Sequence, residues 1–411
     1  MGLASGFKAY LKAKFPACVS DVALEPADAV VVDVMVVLHS FSPDEENSLP
    51  TGTQLCDKLF YMVWYYDHAV FCFDNAAQTP ATKALEWARR GQDATPVDVE
   101  ALRSALAEHR LPADFQAFLK HRNERMIVCE YVERELVRRM RMGGQQSTLR
   151  TLTVVGTGDV PTRASWRDDE LVLRPMPELS APLLGEADVS CIAAALHLRE
   201  HDGAVRVHVS TVDTDLVVVA LLHEFKGLTI SLPLFDRKKR DVAHFAVDVH
   251  ELAGAVRSAY NTSPHDYALL VLSKKTDYTP PSIKQLGDWD KYVDQCVAGM
   301  RVVNRRLVLA SDDVQREHGV RVDGETAVDL SALHRTFLSA CVGQRKNVKV
   351  SYVPGDGHLL RLAWVYHYYA LAPVMKTASK NLDPTAWGWQ VRTVDGSASV
   401  STVAARPAMF A

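Results

Sequence analysis

Ala204-Val205-Arg206-Val207-His208-Val209-Ser210, continued by Thr211-Val212-Asp213-Thr214-Asp215, alternates apolar and polar side chains and then closes on two aspartates. A period of two reads as a strand, and Asp-x-Asp just beyond it stands where the strand would end. Upstream, Gly185-Glu186-Ala187-Asp188 opens the apolar stretch Val189 to Leu198, which reads as a helix. The same association of acid and apolar run recurs along the chain. Asp33 lies inside Ala29-Val30-Val31-Val32-Asp33-Val34-Met35-Val36-Val37, Asp74 closes Val70-Phe71-Cys72-Phe73-Asp74, and Asp277 follows Ala268-Leu269-Leu270-Val271-Leu272. In open α/β sheets the carboxyl ends of the strands are where sites are built. Carboxylates converging there repel one another unless cations neutralise them, and all-oxygen ligands suit Mg²⁺ or Mn²⁺. The acids are expected to form a two-metal site.

Each acid also has an ordinary reading. Asp33 in a valine run could be a buried, hydrogen-bonded structural acid. Asp-x-Asp after a strand is a common solvated turn. Glu186 and Asp188 could simply favour a helix N-terminus through its dipole. Seven acids in such settings together still point to metal.

Strand-like runs at 29–37, 69–73, 151–155, 205–210, 217–221 and 228–233, with helical patterns between several of them, predict a largely parallel α/β sheet. Residues 91–150 interrupt it with charged, helix-forming sequence. Between residues 115 and 141 there are seven Lys/Arg against four Asp/Glu, either a solvated helical face or a cap guiding a polyanion over the site. The expected organisation is a core in two parts, 1–90 and 151–285, split by the insertion 91–150. A mainly helical region follows at 286–375. The tail 376–411 is rich in Ser, Thr, Ala and Val, the composition of a partly disordered segment. No internal repeat is evident.

The chain has 411 residues, 48% of them hydrophobic, enough for a large core. No apolar run approaches the ~18 residues that span a membrane, and the start lacks the layout of a signal peptide. The seven scattered cysteines read as reduced core residues rather than zinc ligands. A soluble, intracellular, monomeric enzyme is expected. The net charge of −4 announces no global affinity for nucleic acid, so any basic surface is local. The densest basic run is Arg237-Lys238-Lys239-Arg240. It could contact phosphates, serve as a nuclear address or be a solvated loop, and the nucleus is favoured over the cytoplasm.

The order of these motifs resembles the flap endonuclease / xeroderma pigmentosum group G nuclease family. Met1-Gly2-Leu3 with Phe7 is similar to its opening segment, and Val32-Asp33 to its first catalytic aspartate strand. Phe73-Asp74-Asn75 resembles its Phe-Asp-Gly. Pro182 to Cys191 resembles its Glu-Ala-Glu-Ala segment, with Asp188 for the second Glu. Ser210 to Leu216 resembles its Ser-x-Asp-x-Asp-Leu, and Leu272 to Tyr278 its Leu-Gly-Ser-Asp-Tyr with the glycine lost. The stretch His244 to Val249 is similar to the turn and helix leading to the last acid. The resemblance covers roughly residues 1–285. It implies a three-layer α/β/α PIN-like core and a Mg²⁺-dependent 5′ nuclease acting on 5′ ends or branched DNA. Two ions about 4 Å apart would activate water and stabilise the leaving oxygen. Glu186, Asp188 and Asp213 would hold one ion, Asp215 and Asp277 the other, with Asp33 and Asp74 acting directly or through waters.

The resemblance further implies that Lys83 and Arg90, seven residues apart and so on one helix face, reach the scissile phosphate. Arg89 points about 100° away as a neighbouring nucleic-acid contact. Read alone, the pair is an ordinary surface helix. Gly2 would lie at the nucleic acid. His39 would stack on the 5′ base, worth ~1–3 kcal/mol, although a core or capping histidine fits equally.

After Asp277 the family's duplex-gripping Gly-apolar-Gly turn is missing, and the tail holds no clamp-binding motif. An RNA nuclease is the alternative. Trp364-Val365-Tyr366-His367-Tyr368-Tyr369 is similar to a stretch in Xrn-type exoribonucleases, though helix packing explains it as well. The acidic motifs also resemble segments of herpesviral host-shutoff nucleases. A third reading, a catalytically silent nucleic-acid-binding protein, is opposed by retention of all seven acids.

Overall fold

Runs of β-branched residues favour extended backbone, and the computed structural model sets these runs side by side. It describes residues 6–21, 27–75, 97–121, 124–143, 147–180, 185–232, 245–274, 289, 293, 364–366, 368–370, 372–374, 389–394 and 397–402. In chain order the first elements are α1 (Phe7–Lys14), β1 (Val19–Ser20), β2 (Ala29–Asp33), α2 (Val34–Ser40), α3 (Thr51–Val63) and β3 (His68–Cys72). The insertion supplies α4 (Val99–Ala107), α5 (Phe115–Phe118) and α6 (Arg125–Gly143). Next come β4 (Thr151–Val155), β5 (Thr162–Arg167), β6 (Glu170–Pro175), α7 (Ala187–His201), β7 (Val207–Ser210), α8 (Asp215–Leu222) and β8 (Leu228–Ser231). Then follow β9 (Ala246–Asp248), α9 (Val249–Tyr260), α10 (Pro264–Lys274) and, in the tail, β10 (Trp389–Val394) and β11 (Ser397–Thr402).

A 9-stranded sheet has the order β1-β9-β8-β7-β2-β3-β4-β5-β6. Its centre, β8-β7-β2-β3-β4, is parallel, and the remaining edge strands pair antiparallel. Successive side chains leave a strand on opposite faces, so the central strands feed two cores. Ala29, Val31, Val70 and Cys72 pack with α1 and α7 to α10, whereas Val30, Val32, Ala69 and Phe71 pack with α2, α3, α4 and α6. The class is α/β, with a mostly parallel sheet between two helical layers, as the sequence led us to expect. Strands β10 and β11 form a separate two-stranded sheet.

Two apolar runs fold differently from their sequence reading, and a third takes a form the sequence left open. The run 29–37 is a strand only as far as Asp33. The Asp33 carboxylate accepts a bond from Met35 N at 3.1 Å and starts α2, an N-cap that turns extended chain into helix. The run 217–221 is α8, not a strand, and every residue of that helix is buried. A helix enclosed on all sides and a core strand look alike by periodicity. The run before Asp277 is likewise helical, within α10, which begins at Pro264, a residue suited to a first turn. The antiparallel β5–β6 hairpin was not expected. Its turn is Asp168-Asp169, with φ of 49° and 64°, the primed geometry that short Asp side chains tolerate.

The insertion is anchored rather than draped. Arg139 of α6 donates from Nε to Asp57 at 2.8 Å, from Nη1 to Glu135 at 2.7 Å and from Nη2 to the Thr53 carbonyl at 3.1 Å. This fastens the far half of α6 to α3. Nearer the site, β4 is followed by Gly156, whose φ is 96° and where a Cβ would lie 2.2 Å from the Phe73 carbonyl oxygen. That close approach sets the residue preceding Asp74. Gly156→Ala is expected to cost more than ~2 kcal/mol, from left-handed backbone and a main-chain clash together. The denaturant midpoint, compared at unchanged m-value, checks it.

Candidate functional site

Strand register decides where the acids emerge. Asp33, the last residue of β2, is level with Cys72, the last of β3, and Val32 is level with Ser210, the last of β7. Asp74 and Asp213 therefore leave the same carboxyl edge of parallel strands. Glu186 is the N-cap residue of α7, Asp188 lies in its first turn, and Asp215 opens α8.

Hydrogen bonds draw these ends together. Asn75 N donates to Gly185 O at 2.8 Å and Ala187 N to Asp74 Oδ1 at 2.9 Å, tying β3 to the head of α7. Thr211 Oγ1 donates to Asp33 Oδ2 at 3.0 Å and accepts from Asp213 N at 3.1 Å, tying β2 to the loop after β7. Asp213 Oδ1 accepts from Asp215 N at 3.0 Å and so steadies the start of α8. The structural reading of these acids is thus partly correct. Asp33, Asp74 and Asp213 each organise a helix start, and the same bonds gather their charges.

The electrostatics register that gathering. Glu186, Asp33 and Asp215 are 1%, 5% and 2% exposed. Burial, then the negative charge of Asp74, pushes the Asp33 carboxyl up to about 7. The Thr211 hydrogen bond pulls it down, and Asp213 adds to the rise. The buried Cys191 thiol is raised by burial and by Cys72, and then by Asp33 and Asp188. The phenols of Tyr368 and Tyr369 are raised first by burial. Next come Glu186, Asp188 and Asp74 for Tyr368, and Asp215, Asp188, Glu186 and Asp213 for Tyr369. All six described acids of the set therefore share one neighbourhood. Trp364 and Tyr368 stack with ring centroids 5.2 Å apart, and His223 Nε2 lies 3.0 Å from the Tyr369 carbonyl oxygen. This aromatic segment packs into the core, as its packing reading required, near enough to the acids for their charges to act on both phenols.

Cations border the cluster. The half-buried Lys8 of α1 has its pKa lowered by burial, an effect that the charge of Asp213 opposes. Arg125, the first residue of α6, places Nη2 3.5 Å from Asp74 Oδ2. His39, exposed at the end of α2, has its pKa lowered by the protein packed around it and then by Arg125, with Asp74 opposing. Of the other expected site residues, Gly2, Lys83, Arg89, Arg90, Arg237, Lys238, Lys239, Arg240 and Asp277 lie outside the described residues.

The reading of motifs missed Lys8, Thr211 and Arg125. Thr211 carried a signal, since a hydroxyl between a strand end and Asp-x-Asp can bridge both. Lys8 adjoined a quoted motif. Arg125 carried none, because only the fold brings it to Asp74.

Among the described residues, no three His, Cys, Asp or Glu side chains stand close enough to hold one metal ion as placed. The donor chemistry nevertheless fits a hard cation. The donors are carboxylate oxygens, and a cation would relieve the repulsion from Asp74 and Asp213 that adds to the burial of Asp33.

No protein-family model and no curated protein matches the chain. Among solved structures it is similar to the T5 D15 protein co-crystallised with metal ions. The TM-score is 0.35 and the identity 10%, over 88% of this chain and 97% of that one. That likeness is too slight to bear on function. No helix among the described residues is long and apolar enough to cross a membrane.

Proposed function

We propose that this chain is a divalent-metal-dependent nuclease that hydrolyses phosphodiester bonds at 5′ ends or branches of DNA. The observation that carries the reading is the meeting of Asp33, Asp74, Glu186, Asp188, Asp213 and Asp215 at one carboxyl edge of a parallel sheet. So dense a set of acids is costly for stability alone, because each raises the cost of ionising the next. Glu186, Asp188 and Asp213 would hold one divalent ion and Asp215 with Asp277 the other. When bound, such ions supply charge stabilisation for the attacking and leaving oxygens. Asp33 and Asp74 would orient what lies between, Asp33 itself being held by Thr211 and Met35 N.

The resemblance extends the proposal beyond the acids. Lys83 and Arg90 would stabilise charge on the scissile phosphate. Gly2, His39, Arg89 and the run Arg237-Lys238-Lys239-Arg240 would contact the nucleic acid, with residues 91–150 as the cap. Lys83→Ala or Arg90→Ala should lower the single-turnover rate roughly 10²–10³-fold, ~3–4 kcal/mol of barrier. Affinity should fall much less and Arg89→Ala should be tolerated. If Arg89 proves essential and Arg90 dispensable, the pairing is wrong.

The decisive experiment is a cleavage panel of 5′-flap DNA, nicked DNA, single-stranded DNA and single-stranded RNA, each with Mg²⁺, Mn²⁺ or chelator. Metal-dependent cleavage of DNA supports the proposal. Cleavage of RNA alone moves the assignment to an RNA nuclease, and no cleavage with retained binding moves it to a silent nucleic-acid-binding protein.

A further inference from the structure

We propose that Arg125 is a phosphate-binding residue of this site, resting on Asp74 until a nucleic-acid strand takes it over. The proposal deepens the nuclease reading and rests on it for the identity of the ligand. Its basis is an unequal treatment of two arginines on one helix. Arg139, near the far end of α6, is fully engaged by Asp57, Glu135 and the Thr53 carbonyl at 2.7–3.1 Å. Arg125, at the near end, is almost as deeply placed, with its side chain 12% exposed. Yet its Nη2 stands 3.5 Å from Asp74 Oδ2, and its buried Nε has no hydrogen-bond partner. Good guanidinium–carboxylate bonds are 2.7–2.9 Å and often paired. A buried donor left unmade is costly, so the orphaned Nε of Arg125 beside a carboxylate cluster calls for an acceptor that is not part of the resting protein.

The chemistry of the fork names that acceptor. A planar guanidinium matches two oxygens of one phosphate, which an ammonium cannot do. Asp74 can release it without losing its own place, because Asp74 Oδ1 stays on Ala187 N at 2.9 Å. The phosphate could be an internal phosphodiester or a terminal 5′-phosphate.

The test is binding by the full chain in chelator, read by fluorescence anisotropy across a salt series. The probe is a single strand of about 12 nucleotides, with either a 5′-hydroxyl or a 5′-phosphate. Arg125→Ala should raise Kd about tenfold to hundredfold. It should also flatten the slope of log Kd against log salt by about 0.7, one single-strand phosphate contact. Arg125→Lys should keep the slope and lose several-fold in affinity. Arg141→Ala, on the exposed far end of α6, should match the wild type. An equal effect on both probes assigns an internal phosphodiester, and an effect on the phosphorylated probe alone assigns the terminal phosphate.

An Arg125→Ala protein with wild-type Kd and slope overturns the proposal, even if it melts earlier, because Arg125 is then only a counter-charge for Asp74. If Arg125→Ala does not fold, Arg125→Lys indistinguishable from wild type overturns it instead, as does a wild type that binds neither probe. The two readings fail separately. A wild type that cleaves with Mg²⁺ beside an Arg125→Ala protein that binds normally removes this proposal alone. A wild type that cleaves nothing while Arg125→Ala binds weakly removes the nuclease alone.

Discussion

Asp213→Asn and Asp215→Asn should each lower cleavage on the order of 10³-fold or more, ~4 kcal/mol of barrier, with substrate affinity changed only a few-fold. The asymmetry between rate and affinity is the point, because carboxylates that serve charge development in the transition state contribute little to holding a substrate. Asparagine is the substitution of choice at 213. Asp213 Oδ1 accepts a bond from Asp215 N at 3.0 Å, and the amide oxygen of Asn keeps that acceptor, whereas Ala would also loosen the start of α8. Single-turnover kinetics beside a binding titration separates the two quantities. Wild-type cleavage persisting in excess chelator would end the metal-dependent reading.

Asp33→Asn should move activity and stability in opposite directions. Activity should fall steeply, while the metal-free protein should become more stable. In the folded protein the Asp33 carboxyl is pushed up to about 7 by burial and by Asp74, against ~3.9 in an unfolded chain. The folded state therefore holds this proton more tightly than the unfolded state. The penalty is absent below about pH 4, builds between about 4 and 7, and is complete above that window. At ~1.4 kcal/mol per pH unit its ceiling is roughly 4 kcal/mol. Asn can still accept from Met35 N and donate to Thr211 Oγ1, so the local fold survives the change. The stability advantage of Asp33→Asn, from urea unfolding in chelator, should be near zero at pH 4 and largest at pH 7.5. An advantage that does not change with pH would show that Asp33 is not charged at the expense of the fold.

The parallel core was legible because its strands are short apolar runs, and Asp33, Asp74, Asp213 and Asp215 were legible because they lie at or just beyond the ends of such runs. Asp33 illustrates the limit of that logic. The sequence shows an aspartate within one long apolar run, and only the N-cap bond to Met35 N reveals that the run is a strand and then a helix. Residues 217–221 were misread for a related reason, since total enclosure removes the polar face that gives a helix its period. The β5–β6 hairpin escaped because its strands are partly exposed at an edge and lack a clean alternation. At the site, sequence supplied the anions but not the cation at Asp74. Arg125 lies in a charged helix indistinguishable by composition from a solvated one, and only the packing of α6 against α3 turns its first residue inward.

The aromatic segment has a consequence for the order in which the molecule can be finished. The phenols of Tyr368 and Tyr369 feel the charges of Glu186, Asp188 and Asp215, yet a ribosome makes them long after all three. Contacts between segments so far apart in sequence form late and slowly, because a long loop must close before they can be gained. The carboxylates are thus translated well before these aromatic neighbours. A nascent chain carrying every described acid of the site still lacks these two neighbours until Tyr368 and Tyr369 have themselves been made.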